Sequence, residues 1–389
     1  MRSLLRAARV ITPDDDISPG WVLLRDGSIE GVGDGPPPDT DAETLDLGDQ
    51  TLVPGFVDIH VHGGGGFSLL DGDPEALQSY ARWVANRGVT SFLATVCSSA
   101  PTEAVPVLES LALVAGHSNG SELLGANLEG PFVASGRLGA LPPSWANPPD
   151  PALLDRLIAA ARGNLRLITI APELPAASAL ISSAVSAGVK VSIGHTDANF
   201  EEAALAFHAG ATHVTHALNA MRPFHQRDPA VIGAALEAPE VTIEVVADGV
   251  HLHPATVRLL LLAFGPDRVA LVTDAVTPAG LERGTFRIGK EKAVMRNGRI
   301  TLLDGTIAGS AATMDQLVRN VVEWKCATLP EAVRMASTVP ASVAGASRKG
   351  RIAPGYDADL VALTPTLAVA ATWLRGSLVS GFIGSALAD

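Results

Sequence analysis

From residue 55 to residue 275 the chain alternates between two kinds of apolar pattern. Short runs rich in β-branched residues begin near Gly55, Val89, Glu122, Leu165, Val189, Thr212, Val241 and Arg268. Amphipathic stretches of helical period separate most of them. Asp73-Pro74 and Asp150-Pro151 each place a capping carboxylate directly before a proline suited to the first helical position, and Gly88 closes the first of these helices. Eight strands alternating with helices predict a parallel sheet closed into a barrel.

The two ends follow a different pattern. Residues 1–53 carry short strands and turn signals such as Asp26-Gly27, and residues 350–389 do likewise. Neither end is long enough to bury a core alone. The expectation is an α/β chain: a (β/α)₈ TIM-like barrel over 54–349 and a small β-sandwich domain formed jointly by 1–53 and 350–389. Asn297-Gly298, between Val294–Arg296 and Arg299–Leu302, predicts a hairpin inserted after the eighth strand.

Composition narrows the function. The 389 residues carry a net charge of −13, which argues against a nucleic-acid partner. An anionic small molecule would need a local cationic pocket. The first ten residues lack the apolar core of a signal peptide, and no run is long enough to span a membrane. Cys97 and Cys326 suggest no disulfide framework. The expectation is a cytoplasmic protein without a membrane partner.

In a barrel of this type, chemistry gathers where the strands end. There the sequence places His60 and His62 (first strand), Glu129 (third), His195 (fifth), His216 (sixth), Asp248 with His251 (seventh) and Asp274 (eighth). Five of the ten histidines thus fall on one face. Imidazoles with a carboxylate form a ligand set for a divalent metal, Zn²⁺ first and Fe²⁺ as the alternative. Asp274 is placed to act as general acid and base. Taken singly, each residue has a plain structural reading; their agreement on one face carries the argument. Asp248 is expected to shape its loop and Asp58 to support the site. Structural or surface roles are expected for His117, His208, His213 and Glu173, and a core role for Cys97. Gly63-Gly-Gly-Gly66 lacks the Lys-Ser/Thr of a phosphate loop and is expected to be a flexible approach to the metal.

The motifs Val53-Pro-Gly-Phe-Val-Asp-Ile-His-Val-His-Gly, Asn127-Leu-Glu-Gly-Pro-Phe, Ala171-Pro-Glu, Gly194-His-Thr-Asp-Ala, Thr215-His-Ala-Leu-Asn-Ala-Met, Ala247-Asp-Gly-Val-His, Thr273-Asp-Ala and Ala308-Gly-Ser lead to the closing Gly350-Arg-Ile-Ala-Pro-Gly-Tyr-Asp-Ala-Asp-Leu-Val. Across nearly its whole length the chain resembles the N-acetylglucosamine-6-phosphate deacetylase family of the amidohydrolase superfamily. The resemblance implies Glu129, His195 and His216 as the main metal ligands. It implies His60 and His62 as ligands where a second ion is held, so one or two ions are expected. It implies Asp274 as the catalytic residue. Asn219 and Ala220 correspond to the stretch whose backbone amides receive the sugar phosphate, and His251 to a substrate contact. Arg227 corresponds to a residue reaching the phosphate of the neighbouring active site in a homodimer; His225 is a candidate beside it. The implied reaction is hydrolysis of the acetamido group to glucosamine 6-phosphate and acetate.

Two departures stand out. Relatives carry Lys-Gly-Ala-His where this chain has Leu138-Gly-Ala-Leu141, so the histidine that helps to polarise the acetyl carbonyl is a leucine, which cannot donate a hydrogen bond. Ala311-Ala312-Thr-Met lacks a larger leucine. Besides the deacetylase, these leave two alternatives: a divergent amidohydrolase acting on another acylated amino sugar or a cyclic amide, and a non-catalytic binder of an amino-sugar phosphate.

Overall fold

The structure is a computed structural model and describes residues 2–38, 40–98, 100–116 and 119–381. Its centre is an eight-stranded parallel sheet. In barrel order the strands are Phe56–Val61, Val89–Val96, Glu122–Leu128, Leu165–Ile170, Lys190–Ile193, His213–Val214, Thr242–Val245 and Val269–Leu271. Each begins within about a residue or two of the onset predicted from the apolar runs. The first and last strands meet through a parallel bridge, Val61 to Ala275. Asp274 N–H donates to His60 O at 2.9 Å and His62 N–H to Ala275 O at 2.8 Å, so the closure falls among candidate site residues.

The helices form as their caps dictate. Asp73 accepts from Glu75 N and Ala76 N, opening Pro74–Ala85, and Asp150 accepts from Ala152 N and Leu153 N, opening Pro151–Ala160. Asn199 and Glu202 complete a reciprocal cap at Phe200–His208. The apolar face of each helix packs on the barrel in one continuous core that includes Phe56, Tyr80, Phe92, Leu154, Ile168 and Leu271.

The terminal segments build two further sheets. One is formed by Arg2–Ala7, Gly20–Arg25, Ser28–Asp34 and Glu43–Asp46. The other combines Arg9–Ile11, Asp16–Ile17 and Thr51–Pro54 with Leu360–Leu363, Val369–Leu374 and Ser377–Gly381. Thr51–Pro54 runs antiparallel to Leu360–Leu363, which ties the two ends of the chain together. Leu5, Val22 and Ile29 from the first sheet share a core with Leu52, Leu360 and Trp373 from the second. Residues 382–389 of the second terminal segment lie outside the described residues.

The Asn297-Gly298 hairpin is present and belongs to a larger insert. Gly284–Ile288, Glu291–Arg296, Arg299–Leu302 and Ile307–Ser310 form a four-stranded sheet following the eighth barrel strand. It stands over the mouth of the barrel. No helix among the described residues is long and apolar enough to cross a membrane.

Candidate active site

Five barrel strands deliver polar side chains to one point. Glu129 is central: its Oε1 lies 2.9 Å from His195 Nε2, 3.1 Å from His216 Nε2 and 3.5 Å from His60 Nε2. Its Oε2 lies 3.4 Å from His62 Nε2. Asp274 Oδ1 faces His62 Nε2 at 3.4 Å, and its Oδ2 faces His251 Nε2 at 3.4 Å. Each of these residues except His251 is at most 8 % exposed. His195, His216 and Asp274 all have positive φ, an unusual state for residues with a Cβ that concentrates at functional sites.

The protons on the rings are set from behind. His195 Nδ1 donates to Arg137 O at 2.9 Å, which leaves Nε2 as a lone pair aimed at a carboxylate and at His216 Nε2, 3.1 Å away. His60 Nδ1 is held by Glu244 at 2.9 Å, and its buried Nε2 has no hydrogen-bond partner. Lone pairs converging in this way repel one another unless a cation lies among them. The charges agree. Burial works against charge on Glu129, yet the surrounding imidazoles hold its carboxyl well below its ordinary value. Burial likewise opposes charge on His60, but Glu244 and Glu129 hold its imidazole well above the usual range. The donor set fits a divalent metal ion. Three ligand groups can be drawn among the described residues: His60 with His62 and Asp274, His60 with Glu129 and His216, and His62 with Cys97 and Glu129.

Glu244 was not singled out from sequence. It is fully buried in the seventh strand, and its Oε2 accepts from both His60 Nδ1 and His216 N–H, the latter at 2.8 Å. Its Oε1 meets His213 Nε2 at 3.3 Å. The available signal was a carboxylate interrupting an apolar strand, since such a group persists only when partnered. His213 is therefore a buried structural histidine. Asp58 accepts from Thr273 Oγ1 at 2.6 Å, and burial pushes its carboxyl up to about 7. Asp248 accepts from Val250 N, His251 N and His251 Nδ1, each at 2.8 Å, so it both shapes its loop and orients His251. Glu173 receives Thr196 Oγ1 and Asp197 N–H and braces the turn after His195. His208 is exposed at a helix end, and His117 lies outside the described residues.

Two expectations change. Cys97 is half-buried on the cavity wall, its Sγ 3.9 Å from His62 Nδ1, and not in the core. The glycine run is no flexible approach: Gly63–Gly64 pairs with Phe67–Ser68, and the Trp83 ring lies against Gly64 and Gly65 so closely that a Cβ on Gly64 would stand 2.4 Å from it.

Above the cluster lies a cavity of about 290 Å³. His62, Glu129, His195, His216 and Asp274 form part of its lining, with Asn219, Ala220 and His251. The Asn219 N–H is already partnered with His216 O at 2.9 Å. Leu141, 8 % exposed, also lines the cavity. Its loop is anchored by fully buried Trp145, whose Nε1 donates to Glu129 O at 2.7 Å. His225 and Arg227 are exposed on the loop after Met221 and do not line this cavity.

The amidohydrolase family model matches residues 51–384. An N-acetylglucosamine-6-phosphate deacetylase of Bacillus subtilis is 34% identical over 96% of this chain and 96% of its own length. An N-acetylgalactosamine-6-phosphate deacetylase of Escherichia coli O157:H7 is 33% identical over 98% and 100%. The structure of an N-acetyl-D-glucosamine-6-phosphate deacetylase from Mycobacterium smegmatis in complex with N-acetyl-D-glucosamine-6-phosphate superimposes with a TM-score of 0.92 at 36% identity, covering 97% of this chain and 99% of that one. With that family match and these relatives spanning almost its full length, the chain belongs to the amidohydrolase family of hydrolases, among the N-acetylhexosamine-6-phosphate deacetylases.

Proposed function

We propose that the protein hydrolyses the acetamido group of N-acetylglucosamine 6-phosphate, releasing acetate and glucosamine 6-phosphate. The observation that carries this reading is the position of Asp274: a buried carboxylate facing a convergent imidazole–carboxylate set at the floor of a cavity bordered by Asn219, Ala220 and His251.

Glu129, His195 and His216 would hold the ion, Zn²⁺ by preference, and His60 and His62 suit a second. The two Glu129 oxygens face different histidines, which supports a shared pair of sites. When bound, such an ion supplies an activated water and polarises the acyl carbonyl. Asp274 takes the water's proton and passes it to the departing amine. His251, fixed through Nδ1 on Asp248, holds the other Asp274 oxygen and borders the sugar. The stretch at Asn219 and Ala220 receives the phosphate, the Asn219 N–H exchanging its bond to His216 O for one to the ligand. The exposed loop bearing His225 and Arg227 suits delivery of a cation to a second copy, so the reading includes a homodimer. Residues 54–349 form the catalytic unit, and 1–53 with 350–389 its sandwich. Unpaired Cys97 and Cys326 suit a reducing cytoplasm.

Leu141 supports a second reading, a divergent amidohydrolase acting on another acylated amino sugar, because an apolar side chain stands where relatives place a donor. Acetate release from N-acetylglucosamine 6-phosphate by the Zn²⁺-loaded protein tests the first. Turnover with the galactosamine epimer alone would move the substrate, and no acetate from either would end the deacetylase reading.

A further inference from the structure

The catalytic cavity does not end at the metal cluster. A second cavity of about 260 Å³ adjoins it; Leu70, Cys97, Ala140 and Ile288 line both, with the exposed Glu291 at their common rim. Beyond these the second cavity is walled by Val107, Pro142 and the half-buried Ser98, and it opens to the surface among the exposed Asp71, Glu291 and the ion pair Lys290–Glu103. Leu70 and Val107 are buried, at 7 % and 8 % exposure. Ile288 comes from the insert sheet, Val107 from the helix Ala104–Val114, and Ala140 from the loop that carries Leu141.

The two ends of the combined space differ in chemistry. Asn219, Ala220 and His251 sit on the loops after the sixth and seventh strands. Leu70 and Cys97 sit on those after the first and second, across the barrel mouth. An amide lying over Glu129 and Asp274 with its sugar phosphate toward the polar end must aim its acyl group at the apolar end. There Leu141 replaces the donor of relatives with a hydrocarbon surface, and the adjoining cavity continues beyond the volume of an acetyl methyl.

We propose that this apolar annex is an acyl-chain subsite, and that the enzyme takes N-acylhexosamine 6-phosphates whose acyl group is longer than acetyl, propanoyl and butanoyl above all. This rests on the hydrolase reading given above and specifies its substrate class. The bond broken is the same amide C–N bond: the hydroxyl of water goes to the acyl carbon, and its proton goes to the amine nitrogen by way of Asp274. The products are a short-chain carboxylate and a hexosamine 6-phosphate. The charged rim at Lys290 and Glu103 sets the outer limit of the apolar stretch.

The test is kcat/KM of the Zn²⁺-loaded enzyme on acetyl, propanoyl and butanoyl glucosamine 6-phosphate. Burial of each added methylene is worth up to about fourfold, so a rise from acetyl to butanoyl is expected. Val107→Phe fills the annex without touching the metal cluster; it should abolish that rise and leave the acetyl substrate unchanged. A fall in kcat/KM from acetyl to butanoyl in the wild type overturns the proposal even if the variant does not fold. So does a rise that survives Val107→Phe. Loss of turnover with all three substrates refutes the hydrolase reading itself, which acetate release measures separately.

Discussion

Replacing Glu244 with glutamine isolates a charge that touches no substrate. Oε2 accepts two hydrogen bonds, from His60 Nδ1 at 2.9 Å and from His216 N–H at 2.8 Å, while Oε1 faces His213 Nε2 at 3.3 Å. Glutamine can place its oxygen where Oε2 stands and its amide toward His213, so the shape survives. What disappears is the negative charge behind His60, which makes its Nε2 a better donor to a cation. Loss of such a partner typically weakens metal affinity about 10–100-fold, roughly 1.4–2.7 kcal/mol. Competition against a chromogenic chelator reads this directly, and circular dichroism checks the fold. Glu244→Ala should behave worse, because each buried donor left alone costs about 1–3 kcal/mol. Zn²⁺ affinity unchanged in Glu244→Gln would refute the claim that this carboxylate tunes His60.

Asp274→Asn removes the proton acceptor while keeping the side chain's size, and kcat should fall by about 10²–10⁴ with the substrate still bound, as single-turnover and binding measurements would show. Leu141→His restores a donor where relatives have one; if a missing oxyanion contact limits the acetyl reaction, kcat rises toward the 10²–10³ typical of one such donor. Lys349 lies 2.8 Å from Glu122, 3.1 Å from Asp357 and 2.6 Å from Asp359, joining barrel to terminal sheet, so Lys349→Met should cost about 3–5 kcal/mol in urea unfolding. Burial lowers the pKa of Lys349, but the carboxylates outweigh it and raise it above the ordinary value. On the alkaline side its contribution is complete below about pH 10.4, the unfolded value, and is lost as the pH rises through the folded one; the difference between wild type and variant should shrink there, and again in acid as the partner carboxylates are protonated.

The parts of the fold that were legible are those set by local pattern. The strand Glu122–Leu128 and the helix Pro74–Ala85 need only an apolar run and a capped start, and both are where the sequence predicts them. The general rule for parallel barrels then brings His60, His62, Glu129, His195, His216 and Asp274 together. What stayed hidden depends on contacts between distant segments. Glu244 meets His60 across 184 residues of sequence, and nothing near it announces that partner. Trp83 turns a glycine run that reads as pliable into a packed hairpin. The insert showed only its Asn297-Gly298 turn, because Gly284–Ile288 has no fully buried residue and Ile307–Ser310 buries only the small Ala308 and Ser310, so neither carries an apolar run.

The electrostatics explain why an acidic chain can work on an anionic substrate. Glu129, Glu244 and Asp274 are buried around the same imidazoles, and so much negative charge is costly in a low-dielectric interior. Imidazoles offset part of it, and the buried His60 Nε2 is left without a hydrogen-bond partner. A divalent cation completes the balance and thereby removes the field that would repel a phosphate ester. His251 then marks the polar end of the cavity. At the acyl end the charged side chains, Asp71, Glu103, Lys290 and Glu291, are exposed at the rim, so the buried part of its wall is open to change at little electrostatic cost. Leu141 stands at this end, beside the annex. Specificity for the acyl group can diverge there while the ligand set and Asp274 stay fixed.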